Sequence, residues 1–185
     1  MRVLVIMGSR NREGQTAQAA AALLRGMESH GWESETVFLP EMSIDHCHQC
    51  NERGWGGCRM MGCCRGADDD FGPLVERIRA ADLVVFGNPV YFADLSESLW
   101  AFLRRLRRIC THEDGKQGIV GKRAVGICLA GGSGGGAPET LVVLEKTLAG
   151  SGFDVVDLIP VRRQNFEHKL QVLHLTGEWL AAQSG

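Results

Sequence analysis

The 185-residue sequence lacks any apolar run long enough to cross a bilayer, and it lacks an excess of either charge. A membrane-spanning helix needs roughly 20 consecutive apolar residues, and the first apolar run, residues 3–7, is also too short for a signal peptide. Acidic and basic residues nearly balance, with a net charge of −2, so the composition gives no electrostatic footprint for nucleic acid or for a membrane surface. We therefore expect a cytoplasmic protein that binds neither.

Cysteine, in contrast, is abundant. The chain has seven cysteines, and five of them lie within residues 47–64. In a reducing compartment structural disulfides are disfavoured, and a dense cysteine group more often binds metal or performs redox chemistry. The length and the 44% hydrophobic content suit one globular domain. We expect residues 1–185 to form that single domain, with residues 40–71 as a cysteine-rich insertion.

Short apolar runs alternate with amphipathic stretches along the chain. The runs are rich in β-branched residues and show no polar alternation, which is typical of strands buried on both faces of a parallel sheet. Alternating strands and helices predict an α/β fold with right-handed crossovers, a three-layer doubly wound sandwich whose strand order is 2-1-3-4-5. The predicted strands are residues 3–7, 35–39, 82–87, 123–130 and 154–159, and the predicted helices are residues 16–27, 71–80, 95–109, 138–149 and 165–182.

In such a sheet, ligands bind at the carboxyl ends of the strands, beside the point where the strand order reverses. The loop after the first strand is rich in hydroxyl, amide and basic side chains and leads into a helix N-terminus, where backbone N–H groups and the helix dipole favour a phosphate. It has neither the Walker spacing nor the G-x-G-x-x-G pattern, and simple helix capping by its hydroxyls is the alternative. The candidate phosphate-binding residues are Ser9, Arg10, Asn11, Arg12, Gly14, Gln15 and Thr16.

Two further loops are expected at the same edge of the sheet. The loop after the third strand presents two aromatic residues on a proline-stiffened turn, which suits them to flank a planar ring, although Phe92 would equally cover the core. The loop after the fourth strand has five glycines within residues 131–136, which lets a ligand approach the backbone closely, but a flexible surface turn has the same composition. The candidate ligand-binding residues are Asn88, Pro89, Val90, Tyr91, Phe92, Gly131, Gly132, Ser133 and Gly134.

Together these segments resemble the NADPH-dependent FMN reductase family of flavodoxin-like proteins, particularly its iron–sulfur flavoprotein branch. The resemblance covers nearly the whole chain and is carried by residues 8–16, 81–92, 99–105 and 131–136. It implies that the first loop holds the FMN phosphate and ribityl chain, the second lies along the isoalloxazine, and the third closes its pyrimidine side. It also implies a homodimer or homotetramer that transfers electrons from NAD(P)H or a low-potential carrier to a quinone, flavin or metal-centre acceptor.

Two positions depart from the family pattern. A proline and then an arginine often follow the serine of the first loop in this family, but neither position matches after Ser9 here, so either Arg10 or Arg12 would serve the phosphate. The helix after the aromatic loop often ends in an aspartate–arginine pair, and in its place this chain has Arg104 and Arg105. The second departure is expected to alter packing or subunit contacts.

The cysteine segment has the spacing Cys47-x2-Cys50-x7-Cys58-x4-Cys63-Cys64. Four soft thiolates that converge on one point suit either a [4Fe–4S] cluster or a tetrahedral zinc ion. The resemblance favours a cluster, but Arg53 stands where the branch has its third cysteine. Cys58 would then substitute for it, and either Cys63 or Cys64 would be the last ligand. Zinc, or redox-active thiols without a metal, are the alternatives.

Polar residues near the cysteine segment are expected to be solvent-exposed rather than functional. His46 and His48 are expected to be surface loop residues rather than ligands. The aspartates at residues 68–70 are expected to form a solvated, capping entry to the next helix. The arginines within residues 104–108 are expected to form a solvated helix face rather than a nucleic-acid contact.

Two rival functions have weaker support. Residues 46–53 match the nucleophile loop of cysteine phosphatases, but that loop should run directly from a strand into a helix and contain glycine, and this segment does neither. A non-enzymatic zinc module would leave the three loops without a purpose. Two isolated cysteines, Cys110 and Cys128, are expected in the core, while Trp55 would cover a cluster, contact a neighbouring subunit's flavin or anchor its loop.

Overall fold

The computed structural model describes residues 1–54 and 56–183, so the hypothesis about Trp55 lies outside the described residues. Five parallel strands form one sheet in the order β2-β1-β3-β4-β5, which confirms the predicted topology. The strands are β1 Arg2–Met7, β2 Glu33–Phe38, β3 Leu83–Pro89, β4 Arg123–Ala130 and β5 Asp154–Arg162.

Each strand but the last is followed by a helix that crosses back over the sheet, and a final helix follows the fifth strand. The five predicted long helices are present, with boundaries shifted by at most two residues. Two helices of four residues, α2 and α5, were not predicted. The helices are α1 Gln15–Glu28, α2 Cys58–Met61, α3 Phe71–Ala80, α4 Glu97–Ile109, α5 Glu113–Lys116, α6 Ala137–Ser151 and α7 Phe166–Ala182.

Two apolar layers sandwich the sheet. On one face α3, α4 and α6 bury their apolar side chains against the strands, and on the other face α1 and α7 do so. The central strand β3 is buried along its whole length, as its uninterrupted apolar sequence predicts. In the described ranges no helix is both long and apolar enough to cross a membrane.

Helices α1 and α7 approach so closely that their backbones touch at two glycines. A Cβ atom at Gly26 would overlap the carbonyl oxygen of His174, and one at Gly177 would overlap that of Leu23. Any larger residue at either position would push the helices apart. The pair therefore fixes the position of α1, whose N-terminus receives the first loop.

The insertion at residues 40–71 lies against the outer surface of α4, and α2 is its one helix among the described residues. Two hydrogen bonds between Ser43 and Asp70 join the beginning of the insertion to its end. Ser43 N donates to Asp70 Oδ2 at 2.8 Å, and Asp70 N donates to Ser43 O at 2.8 Å. The two ends of the insertion are therefore closed by their own hydrogen bonds.

Candidate functional site

The loops that follow β1, β3 and β4 meet at one edge of the sheet, and we call residues 8–16, 88–96 and 131–136 the binding edge. Gly8 N donates to Gly87 O at 2.8 Å, and Val90 N donates to Leu129 O at 2.9 Å. These main-chain bonds continue the sheet ladder into the loops. The expected juxtaposition of the three predicted loops is therefore present.

The first loop forms a polar turn ahead of α1. Ser9 is largely buried, and its hydroxyl accepts from Asn11 N at 3.3 Å, while Asn11 Oδ1 accepts from Glu13 N at 3.0 Å. Gly14 is the N-cap, and no side chain of the described residues caps α1. The amides of the first turn, beginning at Gln15, are thus left to bind an anion, and Thr16 is buried beneath them.

Neither loop arginine points freely to this turn. Arg10 Nη2 donates to Pro40 O at 3.0 Å. Arg12 binds Glu41 through both Nε and Nη2 and lies 4.7 Å above the ring of Phe38. Hydrogen bonding with Glu41 raises the pKa of Arg12. The predicted role of these two arginines as phosphate ligands would require them to leave these partners.

The second loop is held by a buried asparagine. Asn88 is fully buried, and its Oδ1 accepts from Ser96 N at 2.9 Å while its Nδ2 donates to Pro89 O at 2.8 Å. Because both ends of the amide are bound within the protein, Asn88 shapes the loop rather than presenting its side chain to a ligand. Ser96 also caps α4 by accepting from Leu99 N.

The tip of the second loop is a tight hairpin. Tyr91 and Asp94 exchange main-chain hydrogen bonds, and the two residues between them, Phe92 and Ala93, have left-handed φ angles of 51° and 58°. Left-handed conformations are unfavourable for residues other than glycine and cluster at functional sites. The hairpin leaves Tyr91 half-exposed and Phe92 fully exposed, so Phe92 does not cover the core.

The glycine-rich third loop leaves space at the binding edge. A Cβ atom at Gly131 or Gly132 would meet no atom within 4 Å, whereas one at Gly136 would lie 2.9 Å from Ala93 Cα. Ser133 O accepts from the side-chain amide of Gln164 at 2.8 Å. Gly134 has a left-handed φ of 78°. The loop is thus anchored against the hairpin at its end and open at its start.

These features fit a flavin mononucleotide. The uncapped first turn of α1 offers main-chain donors for its phosphate, and the open space above Gly131 and Gly132 admits a planar ring near the backbone. The half-exposed Tyr91 offers an aromatic side chain at the same edge of the sheet.

Apart from the binding edge, a cavity lies between the insertion and α4, and we call it the cysteine cavity. Four of the five candidate ligands line it, Cys64 among them, and Cys63 does not. Gly66 allows close packing here, since a Cβ atom there would overlap Cys50 Sγ. The lining residues are His46, Cys47, His48, Cys50, Gly56, Cys58, Cys64, Gly66, Ala67, Arg105 and Arg108.

Three residues beside this cavity could hold a single metal ion. The ligand atoms of Asp45, His46 and His48 lie within 4.8 Å of one another, and all three residues are exposed. Among the described residues no three cysteine sulfurs meet the same limit. The four cysteines that line the cavity are a donor set that suits a [4Fe–4S] cluster or zinc, and the sulfur positions do not decide between the two.

The thiols face one another and a positive charge. Burial and the neighbouring Cys64 raise the pKa of Cys58, whereas Arg108 lowers it. Arg108 Nη1 also donates to Gly54 O at 3.0 Å, which fixes the guanidinium beside the cavity. Positive charge at this position offsets the repulsion between several thiolates.

Two predictions about polar residues near the cavity are wrong. Arg105, expected on a solvated face, is only 2% exposed, and Asp69, expected at a solvated helix entry, is 6% exposed. The expected capping is present, since Asp69 Oδ1 accepts from Phe71 N at 3.2 Å. Both Nη atoms of Arg105 bind the Asp69 carboxylate, and Nη1 also donates to Asp45 O at 3.0 Å. The pair buries both charges and ties the insertion to α4. The other arginines fit the expectation better, since Arg104 and Arg107 are exposed.

His46 and His48 are exposed, as expected for loop residues, although they also line the cysteine cavity. His48 Nδ1 contacts Gly66 O at 2.9 Å, and its Nε2 lies 3.2 Å from an Asp45 carboxylate oxygen. Cys110 and Cys128 are buried, which confirms their predicted place in the core. Ser96 and Gln164 were missed, and only Ser96 had a sequence signal, a serine immediately before a helix.

Comparison with known proteins identifies the family to which the sequence is similar. The chain matches the family model described as NADPH-dependent FMN reductase over residues 1–166. An iron–sulfur flavoprotein of Methanosarcina thermophila is 30% identical over 146 residues, which cover 77% of this chain and 69% of that protein. An iron–sulfur flavoprotein of Methanocaldococcus jannaschii is 29% identical over 132 residues, which cover 71% of this chain and 65% of that protein. The chain thus spans about two thirds of the length of these relatives.

The fold is also found among solved structures. A flavodoxin from the domain Archaea superposes with a TM-score of 0.63 at 14% identity, covering 99% of this chain and 98% of that one. At this identity the similarity is one of fold, and with the observed strand order it confirms the flavodoxin-like prediction. Since the family match extends through the whole sheet and all three loops of the binding edge, the chain belongs to the NADPH-dependent FMN reductase family.

Proposed function

We propose that the protein is an FMN-dependent oxidoreductase that transfers electrons through a [4Fe–4S] cluster held by Cys47, Cys50, Cys58 and Cys64. The observation that carries this proposal is the convergence of these four cysteines on one cavity, in a domain that has a second, flavin-compatible edge. Family membership supports the flavin, and the two iron–sulfur flavoproteins similar to this chain support the cluster.

At the binding edge, the protein would hold and orient the flavin. The amides of the first turn of α1 would bind the phosphate, and Ser9 and Thr16 would place that turn. Asn88 holds the second loop in position through Ser96. The bound flavin would supply the hydride and single-electron chemistry. No side-chain acid or base is required of the protein.

At the cysteine cavity, the protein's task is to present four thiolates and to compensate their charge. Cys47 and Cys50 come from an irregular segment, Cys58 from the first turn of α2, and Cys64 from the return segment. Arg105 and Arg108 place two guanidinium groups on the wall of the same cavity. Thiolate ligation needs reduced cysteines, and for this reason we place the protein in the cytoplasm.

We further propose NAD(P)H or a low-potential carrier as the electron donor and a quinone, flavin or metal centre as the acceptor. We also propose a homodimer or homotetramer. The fully exposed Phe92 beside the binding edge supports the oligomer, since a second copy would cover this aromatic ring. Light scattering on the purified protein tests the oligomer, and a monomer would contradict it.

The decisive experiment is an anaerobic purification followed by an absorbance spectrum, with parallel assays of iron, zinc and acid-labile sulfide. Flavin absorbance together with iron and sulfide would support the proposal. Flavin with zinc or with no metal would leave an FMN reductase without a cluster. A colourless protein that fails to bind added FMN would refute the flavin site. Where flavin is present, stopped-flow reduction by NADPH, NADH or a reduced low-potential protein identifies the electron donor.

A further inference from the structure

One donor on the wall of the cysteine cavity has no partner. Arg105 lines this cavity, and its Nη atoms are bound by Asp69 and by the carbonyl of Asp45. Its Nε is buried and has no hydrogen-bond partner among the described residues. Buried donors are almost always satisfied in folded proteins, because an unmet N–H group is costly. An orphaned N–H beside four cysteines therefore points to a ligand in that cavity.

Of the cysteines that line the cavity with Arg105, Cys64 is the one whose charge acts on its guanidinium. Burial would lower the pKa of Arg105, but its hydrogen bonds with the Asp69 carboxylate raise it above its ordinary value. The guanidinium therefore keeps a fixed positive charge beside a cysteine sulfur. With a side chain only 2% exposed, this charge is shielded from water and from salt.

We propose that Arg105 tunes the reduction potential of the cluster, by donating its Nε–H to a sulfur on the Cys64 side of the cavity. This inference rests on the proposed function. The potential of such a cluster depends on the net charge around it and on hydrogen bonds to its sulfurs. Reduction adds one electron and so one negative charge, which a nearby guanidinium stabilises. Arg105 binds no iron, so its role is in positioning and tuning.

Asp69 is expected to lower the reduction potential that Arg105 raises. Its carboxylate binds the Nη atoms of Arg105 and partly neutralises the charge that faces the cavity. Replacing it by asparagine removes that negative charge and leaves the amide able to bind the guanidinium. Asp69→Asn is therefore expected to raise the midpoint potential. Arg105→Lys keeps a positive charge but loses the Nε–H, and it is expected to lower the potential.

The test is a dye-mediated redox titration of each anaerobically purified holoprotein, followed by electron paramagnetic resonance after iron and sulfide have been assayed. Arg104→Lys is the matched control, because the neighbouring Arg104 is exposed and stacks on Trp100 at 4.4 Å. The expected result is a lower potential in Arg105→Lys, a higher potential in Asp69→Asn and no shift in Arg104→Lys.

A purely structural role for Arg105 would leave both potentials unchanged or move them in the same direction, and either result overturns the inference. If Arg105→Lys fails to retain iron, Asp69→Asn decides alone, and an unchanged or lowered potential in that variant rejects the tuning role. Wild-type protein without iron would overturn the proposed function itself. If the wild-type protein holds iron and sulfide but the variants have its midpoint potential, this inference is overturned and the proposed function stands.

Discussion

The binding edge and the cysteine-rich insertion are held in place by different kinds of interaction. The loops of the binding edge continue the sheet through main-chain bonds such as Gly8 N to Gly87 O. The insertion depends on a few side chains, above all the buried pair of Arg105 and Asp69. A loop fixed by its backbone tolerates many side-chain changes, whereas a segment fixed by one ion pair does not.

The largest expected contrast is in thiol reactivity, between the insertion and the core beneath the binding edge. Burial raises the pKa of Cys110 to about 11 and that of Cys128 to about 12. Because the thiolate is the reactive form, both should react at pH 8 at least about a hundredfold more slowly than the exposed Cys50. Timed labelling of chelator-treated protein with a thiol reagent measures this, and equal rates would show that the sheet opens as readily as the insertion.

The next largest effect is on stability, through the buried ion pair of Arg105 and Asp69. Asp69→Ala leaves Arg105 as an uncompensated buried charge, which costs about 3–5 kcal/mol of unfolding free energy. Denaturant unfolding measures the loss. The matched control is Asp68→Ala, at an exposed neighbouring position, which should change stability by no more than about 0.5 kcal/mol. Equal effects of the two substitutions would contradict the assigned role of the pair.

A smaller effect is expected at the binding edge. A Cβ atom at Gly8 would overlap Ser96 Oγ, so Gly8→Ala should force the first two loops apart at a cost of about 1–3 kcal/mol. Where this cost falls on the flavin-bound state, FMN affinity drops about 5-fold to 150-fold, as titration by flavin fluorescence would show. Gly72→Ala is the control, because a Cβ atom there meets no atom within 4 Å; an equal loss of affinity would show that the overlap has no influence.

The smallest effect is a pH dependence confined to the insertion. Burial would raise the pKa of Asp69, but hydrogen bonds from Arg105 and from main-chain amides hold it below its ordinary value. Such a carboxylate stabilises the fold fully above the pKa of the unfolded chain, about 3.9, and its contribution is lost as the pH falls through the lower folded pKa. Stability measured from pH 6 to pH 3 should fall more steeply in wild-type protein than in Asp69→Asn, and parallel curves would disprove the assignment.

The same contrast explains what the sequence could predict. The sheet and its long helices follow from local patterns, and the apolar run of β3 marks a strand buried on both faces. The loops of the binding edge follow because parallel strands end at a common edge. The pairing of Asp69 with Arg105 joins residues 36 positions apart, and no local pattern carries that information. Both residues have types that are usually exposed, so the solvated interpretation failed where a long-range partner was present.

The touching backbones of Gly26 and Gly177 have a consequence for the order of events during synthesis. The first loop leaves the ribosome early, but α1 gains its packing partner α7 only after residue 177 has followed. Until then the helix that would receive the phosphate has one face exposed to water. Nascent chains should therefore acquire their cofactor only after α7 has docked against α1, so that flavin uptake follows the packing of this helix pair.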